Sequence, residues 1–99
     1  MCDGCLSCEI GGGDRKGICK MKDDMQGILP KLVEADVLLM GTPVYFEMLS
    51  GLLKNIIDRT CPIWTKMKGK IIAGVAVAEE DIGSAVENLK TYCKVCKMK

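Results

Sequence analysis

The sequence contains no histidine. That absence excludes Ser-His-Asp triads, cysteine nucleophiles paired with an imidazole, and histidine-ligated zinc or iron. Any metal held here rests on cysteine or carboxylate, and difficult chemistry rests on a cofactor. Long hydrophobic runs are also missing: none approaches the ~18 residues of a membrane span. The polar, Cys-rich and Gly-rich start has no apolar segment of the kind a signal peptide needs. An excess of one charge is lacking too. The net charge is +1, so no global field favours nucleic acid or a membrane surface. These absences lead us to expect a cytoplasmic protein with neither nucleic acid nor membrane among its partners.

What is present fits one domain, residues 1–99, with a cysteine-rich loop at 1–22 and an α/β body at 23–99. Charge is uneven: residues 1–50 carry 5 basic and 8 acidic side chains, residues 51–99 carry 9 and 5. Lys66, Lys68, Lys70, Lys90, Lys94, Lys97 and Lys99 make up most of the basic excess, which reads as a solvated face. Cysteine is abundant and odd in number, at seven. In a reducing compartment such cysteines bind metal or do redox work more often than they form disulfides.

Periodicity gives the order loop, α, β, α, β, α. Met25, Ile28, Leu29, Leu32 and Val33 form one helical stripe, with Asp23 as N-cap and Pro30 expected to kink or split the helix. D-V-L-L-M-G (36–41) is a short apolar run suited to a strand buried on both faces. Leu49, Leu52, Leu53, Ile56 and Ile57 repeat the helical stripe up to about Arg59, before Pro62. K-G-K-I-I-A-G-V-A-V (68–77) is the second strand, and Ile82, Ala85, Val86, Leu89, Cys93 and Cys96 mark a third helix. Cys93 and Cys96 lie on its apolar stripe, where a free thiol packs as a small hydrophobe. Strands alternating with helices imply a parallel sheet. Two such strands alone expose apolar faces and unpaired edges. Partner strands from another subunit, or segments outside this chain, are therefore expected to complete the sheet.

The start of the chain carries the clearest chemistry. Cys2, Cys5 and Cys8 stand in C-x2-C-x2-C. A short turn with that spacing can wrap three thiolates around one corner of an iron–sulfur cube. A fourth ligand must come from elsewhere. Cys19 is nearest, across a loop that contains Gly-Gly-Gly. Cys61, followed by Pro62, is its rival, but helix geometry puts it roughly 16 Å away at the opposite sheet edge, within reach only across a subunit contact. An all-cysteine zinc site and a set of metal-free redox thiols stay open as alternatives. G-G-G-D-R-K-G (11–17) follows no strand and opens no helix, so it reads as a loop rather than a phosphate cradle.

The segments D-D-M, G-T-P-V-Y-F and L-K-N-I-I-D-R, with the cysteines before them, resemble the NADPH-dependent FMN reductase family, and its iron–sulfur flavoprotein branch most of all. The resemblance implies a flavodoxin-like three-layer parallel α/β sheet. The chain covers the middle of that domain: the first strand, the Ser/Arg/Asn-rich phosphate loop and the last strand of the family are not in it. The resemblance further implies that Thr42, Pro43, Val44, Tyr45, Phe46, Met48 and Ser50 face the isoalloxazine of FMN. It implies a [4Fe-4S] cluster on Cys2, Cys5, Cys8 and Cys19, although the gap before Cys19 is wider than the family's. Lys54, Asp58 and Arg59 form its K-x3-D-R pattern, read as a helix-end or subunit contact.

The expected function is electron transfer between a [4Fe-4S] cluster and FMN, of the NAD(P)H-dependent FMN reductase kind. Its partners would be further copies of the chain, with NAD(P)H or a redox protein as electron source. Without the phosphate loop the FMN site should be weak or partial. Two alternatives belong to other classes: a flavin-free cluster- or zinc-binding module, and a truncated homologue without catalysis.

Overall fold

In the computed structural model, which describes residues 1–10 and 17–99, the apolar run after Asp36 forms the central strand. In chain order the elements are α1 (Ser7–Ile10), α2 (Met25–Glu34), β1 (Val37–Tyr45), β2 (Met48–Leu49) and α3 (Gly51–Arg59). A 3₁₀ helix (Cys61–Met67), β3 (Ile71–Val77) and α4 (Ala85–Val95) follow. β1 and β3 pair in parallel, with Val37 opposite Ile71 and Pro43 opposite Val77. This is the parallel α/β pair that the alternation implied.

The sheet differs from expectation in one respect. β1 continues past Gly41 because Val44 and Tyr45 pair antiparallel with Leu49 and Met48. The sheet is therefore mixed, in the order β2-β1-β3. The two residues at the turn, Phe46 and Glu47, have φ of 51° and 63°. A two-residue hairpin loop with both φ values positive matches strand twist, but Asn-Gly usually fills it. Bulky residues there cost roughly 1–2 kcal/mol each. What holds the turn is the loop after β3. Glu47 O accepts from Ser84 N–H at 2.8 Å and from Ser84 Oγ at 2.9 Å.

Alternate residues of β1 divide the two faces. Leu38, Met40 and Thr42 are buried. Leu38 and Met40 meet Met25 and Leu29 of α2, Leu53 of α3, Ile63 and Met67 of the 3₁₀ helix, and Ala85, Leu89 and Tyr92 of α4 in one core. The opposite face, with Val37, Leu39, Ile71, Val75 and Val77, is exposed, Leu39 to 74%. The described residues thus build two of the three expected layers, and the uncovered face is apolar.

Two helix signals play out differently from their sequence reading. α2 runs unbroken through Pro30. Asp23 Oδ1 accepts from the Met25 N–H at 3.2 Å, an N-terminal capping contact made one residue ahead of the Asp24 cap position. α3 is capped by Ser50, whose Oγ accepts from Leu53 N–H at 3.3 Å. Ser50 N–H in turn donates to Thr42 Oγ1 at 3.0 Å, which ties the helix start to β1.

Gly83 sits at φ 49°, and a Cβ there would lie 2.5 Å from Glu47 O. Gly83→Ala must therefore displace the backbone that holds the Phe46–Glu47 turn. We expect a loss of about 1–2 kcal/mol in urea unfolding from the positive φ alone, with faster amide exchange at Ser84.

Candidate functional site

The cysteine-rich start folds back on itself through local polar contacts. Asp3 Oδ1 accepts from Cys5 N–H at 3.1 Å, and Cys5 Sγ lies 3.2 Å from Ser7 Oγ. Gly17 N–H donates to Cys8 O at 2.9 Å, and Lys20 reaches Asp3 at 3.5 Å. Cys19 lines the same cavity as Cys2, Cys5 and Cys8. Gly17 has φ 82° and passes close to Pro62, where a Cβ would stand 3.1 Å from the carbonyl oxygen.

Together with the end of α3, the 3₁₀ helix and α4, this loop lines an open cavity of about 610 Å³. Cys2, Cys5, Cys8, Cys19, Cys61 and Cys96 all line it, with Arg59, Trp64 and Tyr92. All seven cysteines of the chain are free. Among the described residues no three thiols or carboxylates converge closely enough to hold an ion as they stand. The donor chemistry suits an iron–sulfur cluster and the cavity has room for one.

Cys61 overturns its sequence reading. Rather than lying at a distant edge, its Sγ donates to Glu9 Oε1 at 3.1 Å, within the same cavity as the first three cysteines. The reason is the position of α2. Asp23, just before it, pairs with Arg59 at the end of α3, so the described residues 1–10 and 17–22 sit where α3 ends and not where it begins. Burial, and then the Glu9 carboxylate and the Cys8 thiol, push the Cys61 thiol up to about 12.

Arg59 is buried, and its Nη1 and Nη2 donate to Asp23 Oδ2 and Oδ1 at 2.6 and 2.8 Å. Nη2 also donates to Cys19 Sγ at 3.6 Å. The hydrogen bonds from Arg59 hold the Asp23 carboxyl below the usual carboxylate range. Thr60 Oγ1 donates to Ile57 O at 2.7 Å, so Tyr92 is the donor in their 2.9 Å contact. That bond fixes α4 against the end of α3 and closes the cavity wall. Burial raises the Tyr92 phenol above its ordinary value. Cys96 is buried in the core and Cys93 packs against it.

The residues expected to face flavin lie at the other end of α3. Thr42 and Ser50 are buried, 3.3 Å apart through their hydroxyls. Pro43 and Val44 continue the strand, with Pro43 on its exposed face. Tyr45, Phe46 and Met48 stand in solvent, Phe46 fully. Lys54 and Asp58 form an exposed i, i+4 pair on α3, of the kind that contributes a few tenths of a kcal/mol. G-G-G-D-R-K (11–16) lies outside the described residues.

A parallel strand pair, helices on its core face and an aromatic loop beyond the strand's carboxyl end define a flavodoxin-like α/β domain. The chain belongs to the NADPH-dependent FMN reductase family, whose model matches residues 6–99. An iron–sulfur flavoprotein of Archaeoglobus fulgidus is 44% identical over 59 residues, 60% of this chain and 26% of that protein. One from Methanocaldococcus jannaschii is 38% identical over 78 residues, 77% of this chain and 38% of that protein. An FMN-dependent NADPH-azoreductase of Staphylococcus aureus is 38% identical over 56 residues, 57% of this chain and 30% of that protein. The chain spans less than half the length of these curated relatives. Among the described residues no helix is long and apolar enough to cross a membrane.

Two outcomes are expected. The Asp23 carboxylate has a lowered folded-state pKa, so its stabilisation is complete above the unfolded value near ~3.9 and is lost as pH falls through the folded value. In urea unfolding, Asp23→Asn should be less stable than the wild type by a constant margin from pH 5 to 7 (approximate bounds taken from that titration). The margin should narrow below about pH 4. In metal-free protein at pH 8, peptide mapping of iodoacetamide labelling should find Cys61 at least about tenfold slower than exposed Cys2, since the thiolate is the reactive form.

Proposed function

We propose that this chain is the cluster- and flavin-binding part of an iron–sulfur flavoprotein, passing electrons between a [4Fe-4S] cluster and FMN. The observation that carries the reading is the single cavity lined by Cys2, Cys5, Cys8, Cys19 and Cys61. Cys2, Cys5, Cys8 and Cys19 would hold the cluster. Cys61 is the second candidate for the fourth place, because it opens onto the same cavity. When bound, the two groups supply the electron-carrying chemistry. The chain's part is to hold, orient and shield them. Tyr45 and Phe46 offer flat apolar surface to a ring, while Thr42 and Ser50 fix the backbone beneath it.

The two candidate sites lie at opposite ends of α3, whose nine residues span roughly 13 Å. That separation, and the bare apolar sheet face, support transfer between copies of the chain rather than within one. NAD(P)H or a redox protein would supply the electrons. A flavin-free cluster or zinc module remains the second reading, favoured by the mutual hydrogen bonding of Thr42 and Ser50.

Anaerobically purified protein should contain about four iron and four sulfide per chain, take up FMN only weakly, and run as an oligomer in light scattering. Cys5→Ser should lose the iron. Of Cys19→Ser and Cys61→Ser, the one that also loses it names the fourth ligand. Zinc without iron would favour the second reading. The absence of iron, zinc and flavin would leave a non-catalytic homologue, and a monomer with stoichiometric FMN would refute the view of the flavin site.

A further inference from the structure

Arg59 is 4% exposed, yet it lines the thiol cavity. A guanidinium carries five N–H donors. Its two terminal nitrogens are taken up by Asp23 in a bidentate fork, and Nη2 reaches Cys19 Sγ as well. Nε is buried and has no partner among the described residues. Buried donors are rarely left without an acceptor. A fork to Asp23 would be enough to link α2 and α3. The contact to Cys19 goes beyond what that link requires. That contact sets the guanidinium at the wall of the cavity, where cysteine is the commonest lining residue.

We infer that Arg59 is the built-in hydrogen-bond donor of the cluster site. It holds Cys19 Sγ through Nη2 and keeps a buried cation beside the thiols of the cavity. The inference rests on the cluster reading above. Arg59 is a positioning residue: it exchanges no electron, and it acts through charge and hydrogen bonding. Hydrogen bonds to the sulfurs and nearby charge set iron–sulfur potentials. One-electron reduction adds negative charge to the site, so a buried cationic donor favours the reduced state. Asp23 opposes this, because its carboxylate offsets the same cation. The two residues therefore act on the potential with opposite signs.

The test is an EPR-monitored redox titration of the protein without added flavin, with iron and sulfide assayed in parallel. Arg59→Gln should lower the reduced-to-oxidised ratio at fixed poise by about tenfold, ~59 mV more negative for a one-electron couple. Asp23→Asn should shift the potential the other way. If both variants keep their clusters and the wild-type potential, the inference is overturned. Should Arg59→Gln fail to fold by circular dichroism, Arg59→Lys decides. It keeps the charge but loses the fork and Nε, and a smaller negative shift supports the inference while no shift overturns it. Wild-type protein that binds no iron would refute the cluster reading itself, and this inference with it.

Discussion

The ion pair between Asp23 and Arg59 is the contact on which the rest of the arrangement depends. It joins residues 36 positions apart, the entry to α2 and the exit of α3. By fixing those two ends together it decides where the cysteine-rich start can lie. It also forms part of the cavity wall. The geometry is the bidentate fork that makes arginine–carboxylate pairs directional. Half of the pair is buried, so breaking it from the aspartate side strands a cation away from water, which is costly. The same contact therefore serves folding and site assembly.

Around that contact the fold separates two kinds of chemistry. One end of α3 carries thiols, a buried cation and a tyrosine held by Thr60. The other carries exposed aromatic rings on a strained hairpin turn. The strain at Phe46 and Glu47 is stabilised from outside, by the backbone of the loop after β3. Positive φ at bulky residues tends to gather where a ligand or partner is met. Here it presents Phe46 wholly to solvent while the hydroxyls beneath it are satisfied internally.

Much of the body was legible in the sequence. The helical stripes placed Leu29, Leu53 and Leu89 in the core, and the apolar runs located both parallel strands. Leu39 and Val75 read as buried on a two-faced strand; they are exposed because nothing among the described residues covers that face. The hairpin was not legible, since Phe-Glu carries none of the usual signals for a turn with positive φ. The cysteine trio and Cys19 were visible as a spacing. Distance along one helix does not locate Cys61, because its position depends on a pairing between distant residues. No local pattern marks Asp23 and Arg59 as partners, and Pro30 falsely suggested a broken α2.

α3 acts as a ruler with a fixed phase. Ser50 anchors its first turn to β1, and Arg59 ends it in the cavity. An α-helix advances one residue by about 100° of rotation and ~1.5 Å of rise. Inserting or deleting a single residue between those two points would swing the guanidinium away from Asp23 and Cys19 while leaving the hairpin seated. The number of residues between Ser50 and Arg59 is thus under tighter constraint than their identity. Exposed positions such as Leu52 and Lys54 can vary in chemistry, but not in count.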